Sequence, residues 1–358
     1  MSDFIERLTV QNYGCVKDVS VELTPFHAFI GPNDSGKSTL LRATRTLVQL
    51  AGNTFQGTFE APLPFDPGIS WTSPLNSTLE FARNRDEYGI SAIGRQVEER
   101  LKTNGIASSL GARAWPRDKI LEVQAGFRQT NPAWAKLLSQ GTRLLRLDPD
   151  ALRKPSQLIP KGQKVQLQDE RGFGLPAIYD VILNQKVEAF LAIKKKMREL
   201  FPSIQSIGLD NISSSTKAIQ IQLQSGEWVP AQFMSEGLLY YLAFAAIPYL
   251  DPAAVILVEE PENGLHPARI AEVMRVLREV SKTTQVLLAT HSPLVINEMK
   301  PEEVSVVTRP PEKGTQVTRI DKTPGFEDRA KVYALGELWL SYADGEYEKP
   351  LLEGGPRP

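Results

Sequence analysis

The sequence predicts an α/β fold, a mixed sheet with flanking helices and a small helical and β-stranded arm inserted into it. Three observations carry that expectation. A glycine-rich loop, Gly31-Pro32-Asn33-Asp34-Ser35-Gly36-Lys37-Ser38, lies between an apolar stretch and a helical pattern. Two apolar stretches, 254–258 and 285–290, flank an amphipathic segment at 267–282. That is a β-α-β crossover, and its strands must be parallel. Residues 4–30 read as strands, with a turn at Asn12-Tyr13-Gly14.

In chain order, the helix that opens at Ser38 runs to about Leu50, and residues 51–77, rich in Gly, Pro, Ser and Thr, read as a long loop. Residues 78–81 look like a strand, about 94–103 like a charged helix, and 120–123 like a strand. A polar, irregular stretch at 129–174 precedes one long amphipathic helix, about 175–200, which stops at Phe201-Pro202. Strands are expected at 204–212 and 219–223, and a helix at 235–250. After the crossover come a short helix at 294–299 and closing strands at 304–307 and 315–320. We expect residues 1–82 and 226–310 to form a discontinuous core, 83–225 the inserted arm or lid, and 311–358 a strand-and-helix tail.

Composition excludes several classes. With 358 residues the chain can bury a large core, and 41% hydrophobic with 23% charged residues is ordinary for a globular protein. The net charge of −1 gives no global pull toward DNA or acidic membranes. Cys15 is the only cysteine, so there is no disulfide framework and no thiolate zinc site. The N-terminus lacks signal-peptide character, and the longest apolar run, 238–250, is too short to span a bilayer. A cytoplasmic protein with no membrane partner is expected.

The glycine loop fits the P-loop pattern GxxxxGK[ST] in its strand–loop–helix context. Gly31 and Gly36 let backbone N–H groups curl round a phosphate, and the helix N-terminus adds partial positive charge. Asn33, Ser35 and Thr39 complete the candidate nucleotide contacts. Lys37 is expected to reach the β- and γ-phosphates and Ser38 to ligate Mg²⁺. ATP and Mg²⁺ are therefore the expected cofactors. A P-loop also needs an acidic strand end, and Val255-Ile256-Leu257-Val258-Glu259-Glu260 supplies one. Glu259 would face Mg²⁺, directly or through water, and Glu260 would polarise the attacking water. His291, at the end of the next apolar strand, can contact the γ-phosphate and sense its loss. Ser235 and Gly237 open an apolar helix upstream of the acidic strand, a second candidate phosphate-binding helix N-terminus.

Together these residues resemble the ATP-binding-cassette superfamily, in its soluble branch of RecF-like, SMC-like and OLD-family ATPases. Four motifs in order carry the resemblance: GPNDSGKS as Walker A, MSEGLL as the signature, VILVEEPENGLHP as Walker B with D-loop, and LLATHSP with the switch histidine. Glu259 stands where Asp is commoner, and Glu236 and Leu238 stand where transporters have Gly and Gln. Gln49 and Gln56 are the candidates for the Q-loop glutamine. The resemblance implies a P-loop ATPase of ABC type that pairs head to tail as a homodimer or higher even oligomer. ATP at Lys37 of one protomer would be capped by Ser235 and Gly237 of the other.

The output of such a switch is open at this stage. The 67 residues after His291 are too few for the Toprim domain of OLD-family nucleases, so no built-in nuclease is expected. One reading is a nucleotide-gated scaffold controlling a separate effector, a nuclease or toxin, in prokaryotic anti-phage defence. The other is a RecF-like, DNA-engaged ATPase, for which Lys194, Lys195, Lys196 and Arg198 would offer a basic helix face.

Overall fold

The structure, a computed structural model, describes residues 4–52, 76–83, 86–93, 96–103, 106–114, 140–310 and 313–340. They form two compact units. The first takes the described residues of Met1–Arg143, Ala253–Glu260 and Ser281–Pro358; the second takes Leu144–Pro252 and Pro261–Val280.

The first unit contains two six-stranded sheets. One is antiparallel, in the order β2 (Val16–Glu22), β1 (Arg7–Tyr13), β4 (Asn76–Arg83), β5 (Asp86–Ile93), β6 (Gln96–Thr103), β7 (Ile106–Ala114). The turn from β1 to β2 uses Gly14 in the left-handed region, φ 57°. The other sheet runs β16 (Gln316–Arg319), β15 (Val304–Thr308), β3 (Phe26–Ile30), β14 (Gln285–Thr290), β13 (Val255–Glu259), β8 (Thr142–Leu145). Its inner strands β15, β3, β14 and β13 are mutually parallel, and β16 returns antiparallel. Every residue of β3, β14 and β15 is buried, which is why these strands read as mainly apolar runs rather than polar–apolar alternations. Helix α1 (Lys37–Gly52) follows the P-loop and packs on this sheet.

Two buried polar side chains of this unit, Gln285 and His27, are matched to partners. The Gln285 amide accepts from the Ile5 N–H at 3.0 Å and donates to the carbonyls of Ile5 and Thr24 at 2.9 and 3.1 Å, tying the N-terminal segment to β14. His27 is fully buried in β3, with its ring nitrogens 2.9 Å from Ser305 Oγ and 3.2 Å from Thr24 Oγ1. Burial, helped by the charge of Arg319, pushes its pKa down to about 3, so it is a neutral core residue.

The second unit carries α2 (Pro149–Leu152), capped by the Asp148 carboxylate, then β9 (Ser156–Gln157), α3 (Leu175–Gln185) and α4 (Val187–Leu200). A small antiparallel sheet follows: β10 (Ile204–Asn211), β11 (Thr216–Leu223) and β12 (Trp228–Pro230), with β9 pairing β11. Helices α5 (Glu236–Ala246) and α6 (Pro267–Val280) complete it. Ten residues of α5, Gly237–Ala246, are buried in succession, so the helix is apolar all round.

Four expectations are corrected. The charged segment expected as a helix at 94–103 forms a strand over its described part, β6, paired on both sides. Strands of eight or nine residues recur from 76 to 114 with two residues between them, and Asn104-Gly105, a hairpin dipeptide, separates the last two. Cross-strand pairing, including Glu87 opposite Lys102, outweighs the helix propensity of the Glu, Arg and Lys residues. The long helix at 175–200 is two helices, broken at Lys186, whose backbone leaves the helical region at φ −137°, ψ 56°. The helix expected to reach Leu250 ends at Ala246 and gives way to a 3₁₀ turn, Ile247–Tyr249, because Pro248 has no N–H to continue the ladder. The helix after the P-loop, expected to stop near Leu50, runs to Gly52. The strand expected at 120–123, Gln56 and most of the loop at 51–77 lie outside the described residues.

Candidate nucleotide site

The P-loop leaves β3 at its C-terminal end and turns into α1. Its path needs glycine at two places. A Cβ on Gly31 would lie 2.1 Å from the Val307 carbonyl oxygen, and Gly36 has φ 112° with Thr315 Oγ1 2.7 Å from its would-be Cβ. Asp34 also holds a left-handed backbone, φ 63°, a conformation Asp tolerates better than most residues. From outside the loop the Thr315 hydroxyl donates to the Ser35 carbonyl at 3.0 Å, and an Arg309 N–H donates to the Asp34 carbonyl at 3.4 Å. Lys37 is buried; its ammonium donates to the Gly31 and Pro32 carbonyls at 2.7 Å each. Ser38 and Thr39, at the start of α1, are half-buried, and Asn33 is exposed at the loop's tip.

Strand register brings the other candidates to the same edge. Ile30 of β3 pairs with Thr290 of β14, and Ala289 of β14 pairs with Glu259 of β13. Gly31, His291 and Glu260 are therefore the first residues beyond three parallel strands, with β14 in the middle. Glu260 has φ 47° and donates its N–H to the Ala289 carbonyl at 2.8 Å. A carboxylate residue held in a left-handed turn is a strained arrangement of the kind found at functional sites. The Glu260 carboxylate lies 3.5 Å from His291 Nδ1, with both side chains accessible to solvent. Behind His291, the indole N–H of buried Trp339 donates to the His291 carbonyl at 3.3 Å. Trp339 belongs to α9 (Leu335–Leu340), which docks on α7 (Pro293–Asn297); α8 (Phe326–Ala330) precedes it. The contact is close, since a Cβ on Gly336 would fall 2.2 Å from the Pro293 carbonyl oxygen.

These residues fit a phosphate. Ser35 Oγ is buried in the loop without a hydrogen-bond partner, 2.9 Å from the position a Gly31 Cβ would take. A buried orphan hydroxyl beside a glycine cradle suits an anionic acceptor. Among the described residues no group of three or more His, Cys, Asp or Glu is arranged to hold a metal by itself. Ser38, at the start of α1, and Glu259, at the end of β13, are the residues expected to meet a Mg²⁺ that is held mainly by substrate phosphates.

Ser235 and Gly237 lie in the second unit. Ser235 is exposed at the N-cap of α5, and its hydroxyl makes no capping hydrogen bond. Gly237 is buried against the next motif, its would-be Cβ 2.8 Å from the Gly264 carbonyl oxygen. Gly264 in turn has φ 67° and no room for a side chain, with Tyr240 2.3 Å away. The MSEGLL and PENGLHP segments are thus one packed assembly. The sequence offers the glycines of that assembly openly. Thr315, Arg309 and Trp339 escape pattern reading because their roles depend on where β15, β16 and α9 end in space.

A family model described as "AAA domain, putative AbiEii toxin, Type IV TA system" matches residues 76–297, more than half of the chain, and one described as "AAA ATPase domain" matches residues 4–94. The OLD nuclease of Thermus scotoductus is 21% identical over 332 residues, covering 85% of this chain and 62% of that relative. The chain thus spans less than two thirds of that protein's length. Two solved structures share the fold. The Smc head domain with an extended coiled coil bound to the C-terminal domain of ScpA, derived from Pyrococcus furiosus, has a TM-score of 0.53 at 15% identity, covering 92% of this chain and 98% of that one. The SmcHead bound to the C-winged helix domain of ScpA has a TM-score of 0.51 at 19% identity, covering 88% and 97%. The P-loop, the acidic strand end and these matches agree: the chain belongs to the family of AAA domains described as putative AbiEii toxin, Type IV TA system, and shares its fold with the Smc head domains.

Proposed function

We propose that the protein is an ATP-gated switch that closes head to tail with a second copy of itself, reopens on slow hydrolysis, and thereby controls a separate effector in anti-phage defence. The observation that carries the reading is the alignment of Gly31, Glu260 and His291 at the ends of three adjacent parallel strands, with the Glu260 carboxylate 3.5 Å from His291. Lys37 exchanges its two carbonyl contacts for phosphate oxygens. Ser38 and Glu259 would hold Mg²⁺, which would supply neutralisation of the phosphate charge. Glu260 takes a proton from the attacking water, and His291 orients that water and contacts the γ-phosphate. Ser235 and the N-terminus of α5 from the partner copy close over the triphosphate. The two states then differ in contacts that exist only while the γ-phosphate is present.

The test is Glu260→Gln. Turnover should fall about a hundredfold or more, the usual contribution of a general base. Nucleotide binding should persist, and sedimentation should show an ATP-dependent dimer that does not decay. Normal turnover in this variant would remove Glu260 from the mechanism.

A RecF-like DNA-engaged ATPase is the second reading. It is favoured by the exposed basic residues Lys195 and Arg198 on α4 and by the kinship with a nuclease. Stimulation of the ATPase by DNA would favour this reading over the effector switch.

A further inference from the structure

The P-loop supplies one cation, Lys37, while Asp34, Glu259 and Glu260 bring three carboxylates to the same strand-end edge. A bound nucleoside triphosphate with Mg²⁺ adds further negative charge, so a site of this composition needs a second cation near the terminal phosphate. Arg309 is in position to be that cation. It lies just past the end of β15, the parallel neighbour of β3 on the side away from β14. Val306 pairs with Ile30, so Arg309 follows its strand out over the same edge as the P-loop.

Its backbone surroundings are fixed. The Val307 carbonyl lies against Gly31, and Thr315, on the return from the same hairpin, holds the Ser35 carbonyl at 3.0 Å. The guanidinium, by contrast, is lightly committed. It is exposed, it donates to the Asp34 carbonyl at a long 3.4 Å, and no carboxylate pairs with it among the described residues. One weak bond uses one of its five N–H donors and leaves the planar fork available for a phosphate. A nucleotide in this loop would have its phosphates held between the start of α1, at Ser38 and Thr39, and the exposed tip, Asn33-Asp34. Arg309 lies on the tip side, against the Asp34 carbonyl.

We propose that Arg309 binds the terminal phosphate of ATP held in the P-loop of the same chain, and so distinguishes ATP from ADP. The inference rests on the ATP-switch reading and adds a specificity residue to it. The Asp34 carbonyl holds the guanidinium beside the loop, and with ATP bound the fork turns onto the γ-phosphate.

Arg309→Ala and Arg309→Lys test it, with binding of a non-hydrolysable ATP analogue and of ADP measured by calorimetry in the presence of Mg²⁺. Arg309→Ala should weaken the triphosphate about tenfold or more, the worth of a charge-assisted hydrogen bond to phosphate, and leave ADP within about twofold. Arg309→Lys should recover part of the loss. Equal loss for both nucleotides would mean that Arg309 only tethers the loop, and unchanged binding of both would mean it does nothing here; either overturns the proposal. Wild-type protein that binds neither nucleotide would overturn the ATP-switch reading itself, and this inference with it.

Discussion

The strand-end edge of the first unit and the Ser235 end of the second carry the two halves of the expected nucleotide contact, and they are built differently. Around the P-loop every backbone turn is fixed by a neighbour: Val307 at Gly31, Thr315 at Ser35, Ala289 at Glu260, Trp339 at His291. At the start of α5 the packing is equally tight underneath, where Gly237 meets Gly264, but Ser235 and Glu236 are exposed and the Ser235 hydroxyl caps nothing. The first half has its loop backbone held by neighbours within one chain, as the proposed phosphate cradle requires. The second is closely packed underneath and exposed on top, as the proposed capping of a nucleotide on a partner copy requires.

The sharpest way to break that contrast is Lys37→Ala. A buried ammonium that meets phosphate is worth several kcal/mol, so nucleotide binding should fall by about a hundredfold or more for ATP and ADP alike. Isothermal titration would read it. Retained binding of either nucleotide would mean that the P-loop edge is not the site. Ser235→Ala should have a smaller and more selective effect. It should leave ADP binding intact and reduce ATP-dependent dimer formation and turnover about tenfold, the worth of one hydrogen bond to a charged group. If Ser235→Ala weakens ADP binding as much as ATP binding, the division of labour between the two regions is wrong.

Gly31→Ala probes how firmly the first half is held. A methyl group placed 2.1 Å from the Val307 carbonyl oxygen forces β3 and β15 to shift. Overpacking of this kind costs about 1–3 kcal/mol, so both thermal stability and nucleotide affinity should drop. Gly162→Ala is a fair control: nothing lies within 4 Å of its would-be Cβ. Its φ of 89° leaves only a local backbone penalty, and nucleotide affinity should not change.

Much of the strand-end edge was legible in the sequence because its chemistry is local. The P-loop is a contiguous string, the acidic pair terminates an apolar run, and His291 terminates the next one. The glycines at 31, 36, 237 and 264 all sit where the chain has no space for a side chain. What escaped reading depends on distance along the chain. Thr315 reaches back 280 residues to Ser35, and Trp339 reaches His291 across 48. Of the meander β4–β7 only β4 is legible in the sequence: β5 and β7 carry no strand expectation, and β6 reads as a helix because its charged residues score well when its pairing partners are ignored. The break at Lys186 left no proline or glycine to announce it.

The effect most remote from nucleotide binding concerns the floor of the site rather than its rim. His27, in the middle of the P-loop strand, is buried and neutral, its pKa pushed down to about 3. An unfolded chain binds a proton on this imidazole below about pH 6.5, the ordinary value, and the folded chain does not until far lower pH. The unfolded state therefore holds more protons between those limits, and stability must rise with pH across that window and fall on acidification. The slope from this one residue is at most about 1.4 kcal/mol per pH unit. Denaturant unfolding followed from pH 7 to pH 4 should show it, and His27→Gln should flatten the curve because an amide does not titrate. Gln can still hydrogen-bond to Ser305 or Thr24, so the variant tests protonation separately from loss of packing. An unchanged slope in the variant would place the acid sensitivity elsewhere. It would also mean that β3 tolerates charge beneath the P-loop, which its complete burial argues against.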